Sequence, residues 1–180
     1  MAKVLPTITI YNNPELLRQK SRPLTDEEIK SPEIKVFIDD MKLTLAESSE
    51  GNIIGVGLAA IQVANPIRIL LAIVDFVGPE QAVTSKSKPK VFINPEIEFI
   101  DYTKPIDDEM CLSVPDKHAD VARYNKVKIT YLDEKGKKHK VKLQGLAARV
   151  IQHEIDHLDG VLFIDRAIKG TIKPLKKSAK

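Results

Sequence analysis

The densest concentration of reactive side chains in the chain is Gln152-His153-Glu154-Ile155-Asp156-His157. At about 3.6 residues per helical turn, His153 and His157 project from one face, where both imidazoles can reach a single ion. Glu154 then lies beside that ion. This is the H-E-x-x-H arrangement, in which two neutral imidazoles hold a Lewis acid and a carboxylate that is not a ligand takes a proton from water. The flanks read as a buried helix. Leu146, Val150, His153 and His157 share one stripe, Ala147, Ile151, Ile155 and Leu158 continue the apolar surface, and Gly160 is a good C-terminal stop. Unpartnered imidazoles on so apolar a helix would be costly to bury, which favours a bound metal over two idle histidines.

Two histidines do not complete a metal site. After His157 the sequence offers no further His, Cys or Glu, and only Asp159 and Asp165 as downstream donors. The third ligand is therefore expected upstream, from Cys111, His118, His139 or a carboxylate. His139 sits in a lysine-rich turn and reads as solvated. Cys111, the only cysteine, lies in the apolar-flanked segment Glu109-Met110-Cys111-Leu112-Ser113-Val114-Pro115. A lone cysteine is usually a small buried hydrophobe, but beside an incomplete two-histidine site it is the favoured candidate.

A second stretch, Gly55-Val56-Gly57-Leu58-Ala59-Ala60-Ile61-Gln62, satisfies the G-x-G-x-x-A dinucleotide fingerprint, with Asp75 at a ribose-binding distance. Its context argues against that reading. The fingerprint needs a strand before it and a helix of several turns after it. Here a polar loop and Ile53-Ile54 precede, and Pro66 leaves room for barely two turns. What remains is a glycine backbone that another group can approach closely, ending in Gln62, whose amide can donate a hydrogen bond.

Several elements must position these residues. Residues 7–11 alternate weakly like a short strand, and Asn12-Asn13-Pro14 turns the chain. Thr25 with Glu28 has the form of a capping box. Ser31-Pro32 opens a helix whose Ile34, Phe37, Ile38, Met41 and Leu45 face inward, and residues 48–52 end it. Strands are expected at 67–74 and at 90–100, the latter interrupted by Asn94-Pro95. Residues 126–132 and 138–143 form a hairpin through Asp133-Glu134-Lys135-Gly136. Residues 84–88 read as a solvated loop and 161–164 as a short apolar strand or packing segment. Strands first and the principal helix late predict an α+β fold, with mixed or antiparallel sheets around a central buried helix that carries the metal motif. One catalytic domain is expected over 1–180, with a core to about residue 165 and a basic, fraying tail over 166–180.

Composition narrows the function classes. A chain of 180 residues with 43% hydrophobic and 29% charged content is ordinary globular material. A net charge of +3 is too small to argue for specific DNA binding. One cysteine excludes an intramolecular disulfide, no apolar run reaches membrane-spanning length, and the expected location is the cytoplasm.

Taken together and in order, GVGLAAIQ, EMCLS and QHEIDH resemble the three motifs of the peptide deformylases. Those motifs are a glycine-alanine loop ending in Gln, a Glu-Gly-Cys-apolar-Ser segment, and Gln-His-Glu-apolar-Asp-His. The resemblance extends over most of the chain to about Asp165. It implies removal of the N-formyl group from the formyl-methionine of nascent polypeptides, with release of formate. By that resemblance Cys111, His153 and His157 hold the metal, and Glu154 serves as general base and then as acid toward the departing amine. The Gln62 side chain and the backbone N–H of Leu112 stabilise the oxyanion, and Val56 and Gly57 hydrogen-bond the substrate backbone. Ferrous iron is the implied metal, with zinc, nickel or cobalt able to substitute. The implied partners are formyl-methionyl nascent peptides and, transiently, the ribosome, for a monomer that has no membrane association.

The residues themselves add one point. Leu146 and Val150 lie within two turns before His153 on its face, so they are expected to line an apolar pocket for the methionine side chain. The sequence also departs from the family pattern. Met110 stands where the family has Gly, and His118 where many relatives carry a basic residue that engages the peptide, a role Arg123 could keep. The loop before Gly55 is somewhat longer, and the tail after Asp165 contains Pro174 instead of the makings of a long helix.

Overall fold

A computed structural model describes residues 2–48, 55–76 and 87–175. The expected loop at 84–88, the end of the first long helix at 48–52 and the last residues of the tail fall largely outside them. Local signals account for the N-terminal third. Asn13 caps the single turn α1 (Pro14–Leu17), and the Thr25/Glu28 box caps α2 (Asp26–Ile29). Ser31 accepts from the Ile34 N–H to open α3 (Pro32–Glu47), with Pro32 at its first position. Residues 7–11 form no strand. Ile8 N–H donates to the Gln62 carbonyl and Ile10 N–H to that of Ser113. Alternate donors thus go to two different elements, and no ladder can grow.

The remaining elements are β1 (Gly57–Ala59), one 3-10 turn (Ala60–Val63), β2 (Ile69–Ala72), β3 (Lys90–Asp101), β4 (Ile106–Cys111), β5 (Val114–Ala122), β6 (Lys126–Leu132), β7 (Lys138–Gln144), α4 (Leu146–Leu158), α5 (Phe163–Arg166) and β8 (Lys173–Pro174). They build two sheets, a five-stranded one in the order β1-β2-β3-β6-β7 and a three-stranded one in the order β4-β5-β8. Among the described residues every strand pairing is antiparallel, which makes the fold α+β with antiparallel sheets.

The continuous apolar run of β2 follows from burial on both faces. Leu70 and Ala72 join Phe92, Ile129, Ala148, Ile151, Ile155 and Leu158 in one apolar cluster. The alternate residues Ile69 and Leu71 join Ile38, Met41 and Leu45 of α3 in another. The five-stranded sheet is therefore a layer between α3 and α4. Asn94 and Pro95 do not interrupt β3. The register against β6 shifts between Ile93 and Glu96, and Asn94 takes a positive φ of 48°. Its amide bonds both backbone groups of Leu24, at 2.9 Å each, so the bulge docks the N-terminal segment.

Strands β4 and β5 were not foreseen, because Ile-Asp-Asp-Glu and Pro-Asp-Lys-His lack an apolar alternation. Residues 161–164 are not a strand either. Asp165 accepts from the Leu162 N–H at 2.8 Å and nucleates the turn α5. The segment after 166, expected to fray, is held as far as Leu175. Ile168 N–H donates to Asp120 C=O, β8 pairs with β5, and Leu175 N–H donates to Asp116 C=O. A smaller apolar cluster of Val114, Ala119, Val121, Leu162 and Phe163 fastens this sheet to α5.

Candidate metal centre

His153 and His157 stand one helical turn apart on α4, and Cys111 ends β4, where the ladder with β5 shifts register after Met110. The donor atoms of these three residues all lie within 4.8 Å of one another. Cys111 Sγ is 3.2 Å from His157 Nε2. Burial by itself would raise the Cys111 thiol, but the two histidines outweigh it and hold the thiol well below its usual range. One thiolate and two imidazoles are borderline-soft donors, a set that fits iron or zinc and not calcium or magnesium. Three such ligands suit a catalytic site with an open position better than a closed structural one.

The histidines differ in what stands behind them. His153 Nδ1 donates to Glu109 Oε2 at 2.9 Å, which turns its Nε2 toward the cluster. Burial lowers the His153 pKa, but the Cys111 and Glu109 partners raise it well above the ordinary value. His157 Nδ1 is buried with no partner among the described residues.

Glu109 is the centre of a buried ionic network. Arg123 clamps it with Nε on Oε1 and Nη2 on Oε2, both at 2.9 Å, and Arg149 Nη1 reaches Oε1 at 2.7 Å. Arg123 Nη1 also bonds Asp156, which Arg166 holds from the other side. Burial disfavours the Glu109 carboxylate, but His153 and Arg123 overcome this and push its pKa below the usual range. Arg123 is only 4% exposed and fully engaged, so it is not available to a peptide as the sequence suggested.

Glu154 sits beside the cluster at 5% exposure, and its Oε2 has no partner among the described residues. Burial raises its pKa to about 7; the Cys111 charge adds to the rise and the two histidines partly offset it. A carboxyl group poised there can both take and return a proton near neutrality. Gly57, on the edge strand β1, makes room for it. A Cβ at Gly57 would lie 2.7 Å from Glu154 Cδ, so any side chain there would displace the carboxylate.

The Gln62 side chain, in the 3-10 turn, is oriented by its Oε1, which accepts the Ala59 N–H at 2.8 Å. Its Nε2 therefore faces Ser113 Oγ at 3.2 Å and Cys111 Sγ at 3.6 Å. Leu112 lies in the short connection from β4 to β5, next to the cysteine. Val56 and Leu146 are half-buried against the larger apolar cluster, Val150 is buried within it, and the Val56 carbonyl accepts the Ile73 N–H.

The other candidates lie elsewhere. His118 Nδ1 pairs with Asp108 Oδ1 at 2.8 Å. His139 Nε2 pairs with Asp133 Oδ2 at 2.7 Å and stacks on Tyr131, so it is half-buried instead of solvated. Met110 is 42% exposed and alternates with the inward Glu109, so it stays out of the ionic network. Sequence reasoning missed Glu109, Arg149, Asp156 and Arg166. One signal was present: a charged Arg149 inside Ala-Ala-Arg-Val-Ile must find buried partners.

Comparison with known proteins identifies the family. A family model described as polypeptide deformylase matches residues 5–173. Curated peptide deformylases from Wolinella succinogenes and Mesorhizobium japonicum are 39% and 40% identical to the chain, over 98% and 92% of it and 96% and 88% of their own lengths. A Met-Ala-Ser-bound class I type b peptide deformylase from Acinetobacter baumannii has a TM-score of 0.79 at 33% identity, covering 92% of this chain and 99% of that one. The peptide deformylase from Thermotoga maritima has a TM-score of 0.76 at 32% identity, with 92% and 98% covered. With a cysteine and two histidines converging beside a buried carboxyl group, and with relatives matched over nearly its full length, the chain belongs to the polypeptide deformylase family.

Proposed function

We propose that this hydrolase removes the formyl group from formyl-methionyl nascent peptides at the Cys111, His153 and His157 centre on the buried helix α4, with Glu154 as the proton carrier. The observation that carries the assignment is the buried Glu154 carboxylate, with one oxygen unpartnered among the described residues, beside a three-donor cluster. When bound, a divalent metal supplies Lewis acidity to the formyl carbonyl and to the water that attacks it. Glu154 takes the proton from that water as the new C–O bond forms, and returns it to the nitrogen as the C–N bond breaks, so formate leaves and a free amino terminus remains.

Gln62 contributes a preset donor. Its carbonyl is already committed to Ala59, so Nε2 can exchange the weak contact to Cys111 Sγ for the developing oxyanion. The Leu112 N–H is the second donor in this reading. Val56 and Gly57 bind the peptide backbone along the edge of β1, and Leu146 and Val150 contact the methionine side chain, whose burial is worth about 1.5–3 kcal/mol. Ferrous iron is the proposed native metal, with zinc, nickel or cobalt able to replace it. In this reading the enzyme is a monomer of one catalytic domain that works in the cytoplasm, where formylated chains are made. Tail lysines such as Lys169 would touch the ribosome in passing.

Formate release from a formyl-Met tripeptide by protein loaded anaerobically with ferrous iron tests the assignment. Release should vanish in metal-free protein and fall by about 10²–10⁴-fold in Glu154→Gln. Cleavage of unformylated peptides at a comparable rate would show an ordinary metallopeptidase instead.

A further inference from the structure

The metal ligands come from two elements that share little apolar contact. The apolar side chains of α4 cluster with the five-stranded sheet, while the cluster behind the three-stranded sheet contains no α4 residue. Apolar packing reaches that sheet through α5, and the direct link between α4 and the Cys111 strand is polar.

Arg149, 7% exposed at the end of the first turn of α4, makes that connection. Its Nη1 donates to Glu109 Oε1 at 2.7 Å and to Val121 C=O at 3.0 Å, its Nη2 donates to Pro105 C=O at 2.8 Å, and its Nε stands 3.8 Å from Asp107 Oδ2. Pro105 directly precedes β4, Asp107 and Glu109 belong to β4, and Val121 belongs to β5. One guanidinium on the histidine helix therefore grips the cysteine strand at two of its positions and at the residue before it, and the neighbouring strand at one. The planar five-donor fork of arginine suits such a junction, whereas a lysine ammonium could serve only part of it.

We propose that Arg149 is a positioning residue for the metal centre: acting through Glu109, it sets β4 against α4 so that Cys111 meets His153 and His157. The proposal rests on the metal-site reading above. Arg123 holds both oxygens of the same carboxylate, so Glu109 is fixed by two arginines and can in turn fix the His153 ring. Groups that orient metal ligands from behind typically change metal affinity by about 10–100-fold when lost.

The test uses zinc-loaded holoenzyme and follows transfer of zinc to a chromogenic chelator. Arg149→Gln should release zinc about tenfold faster, and its cobalt-substituted form should lose intensity in the thiolate-to-metal charge-transfer band that reports Cys111 ligation. Arg149→Lys should fall between the two. In a Glu109→Gln background the further change Arg149→Gln should add little, because both act along one path. Ile151→Val serves as the control for loss of stability alone, with a lower thermal midpoint and unchanged zinc release. Wild-type release from Arg149→Gln, or effects of the two substitutions that simply multiply, would overturn the proposal. Should Arg149→Gln not fold, wild-type release from Arg149→Lys would overturn it equally. If the wild-type chain itself takes up no metal, it is the metal-site reading that fails.

Discussion

The two sheets hold the histidine helix by opposite physics. On one side, Ala148, Ile151, Ile155 and Leu158 lie against Leu70, Ala72, Phe92 and Ile129 of the five-stranded sheet, in contacts that have depth but no preferred direction. On the other, the three-stranded sheet meets the helix through Glu109, Arg123, Arg149 and Asp156, which are buried and bonded in fixed directions. Apolar packing tolerates small shifts at modest cost. A buried ion pair does not, because removal of one partner leaves the other charged and unsolvated. Cys111, His153 and His157 straddle the directional side, where for a proposed metal centre an error of a fraction of an ångström would matter most.

This contrast is open to attack at several strengths. The largest effect is expected at Glu109→Ala, which removes the carboxylate that Arg123, Arg149 and the His153 N–H share. Unfolding in urea should show a loss of about 3–5 kcal/mol, and a loss below about 1 kcal/mol would mean the ionic side is dispensable. Gly57→Ala tests where the two sides meet at the base. Its methyl group would invade the space of the Glu154 carboxylate, and displacement of about 1 Å should lower kcat by roughly 10²-fold. Unchanged kcat with intact metal content would show that Glu154 does not need its present seat.

On the apolar side, Ile151→Val should cost only about 0.5–1.5 kcal/mol, with formate release per bound metal unaltered. A cost matching that of Glu109→Ala would erase the distinction between the sheets. The smallest effects belong to surface pairs outside both regions. Arg22 and the Thr25 N–H hold Glu28 at about 2, below its ordinary 4.5, and His139 with the Lys137 and Lys135 amides holds Asp133 at about 2, below 3.8. A carboxylate whose folded pKa is depressed contributes stability that is present above its unfolded pKa and lost as pH falls through the folded value. The thermal midpoint should therefore decline from about pH 4.5 toward pH 2, and Glu28→Gln with Asp133→Asn should flatten that decline. A slope identical to wild type would place the acid sensitivity in other groups.

Much of this was legible before any coordinates. The Thr25/Glu28 box, the Ser31-Pro32 helix start and the 126–144 hairpin are written in residues that touch their own neighbours in sequence. Arg123 shows the opposite case. Its residue type suggested a hand for the substrate, and its position makes it a buried clamp, because a guanidinium takes its role from whatever carboxylates surround it. Strands β4 and β5 stayed hidden for the same reason. Glu109 faces inward like a core residue, and only the arginines arriving from just past β5 and from α4 make that tolerable.

The sequence by itself determined the pieces of the site: a helix with two imidazoles on one face, a carboxyl group beside them, and glycine and cysteine motifs of a family shape. Those depend on backbone periodicity and on contacts a few residues apart, which a local pattern records. Tertiary structure alone decided that Cys111 reaches His157, that Gly57 yields its space to Glu154, and that Arg149 spans from the helix to the far sheet. The physical reason is that buried charges and metal donors are selected by partners distant in the chain, and only the packed fold says which partners those are.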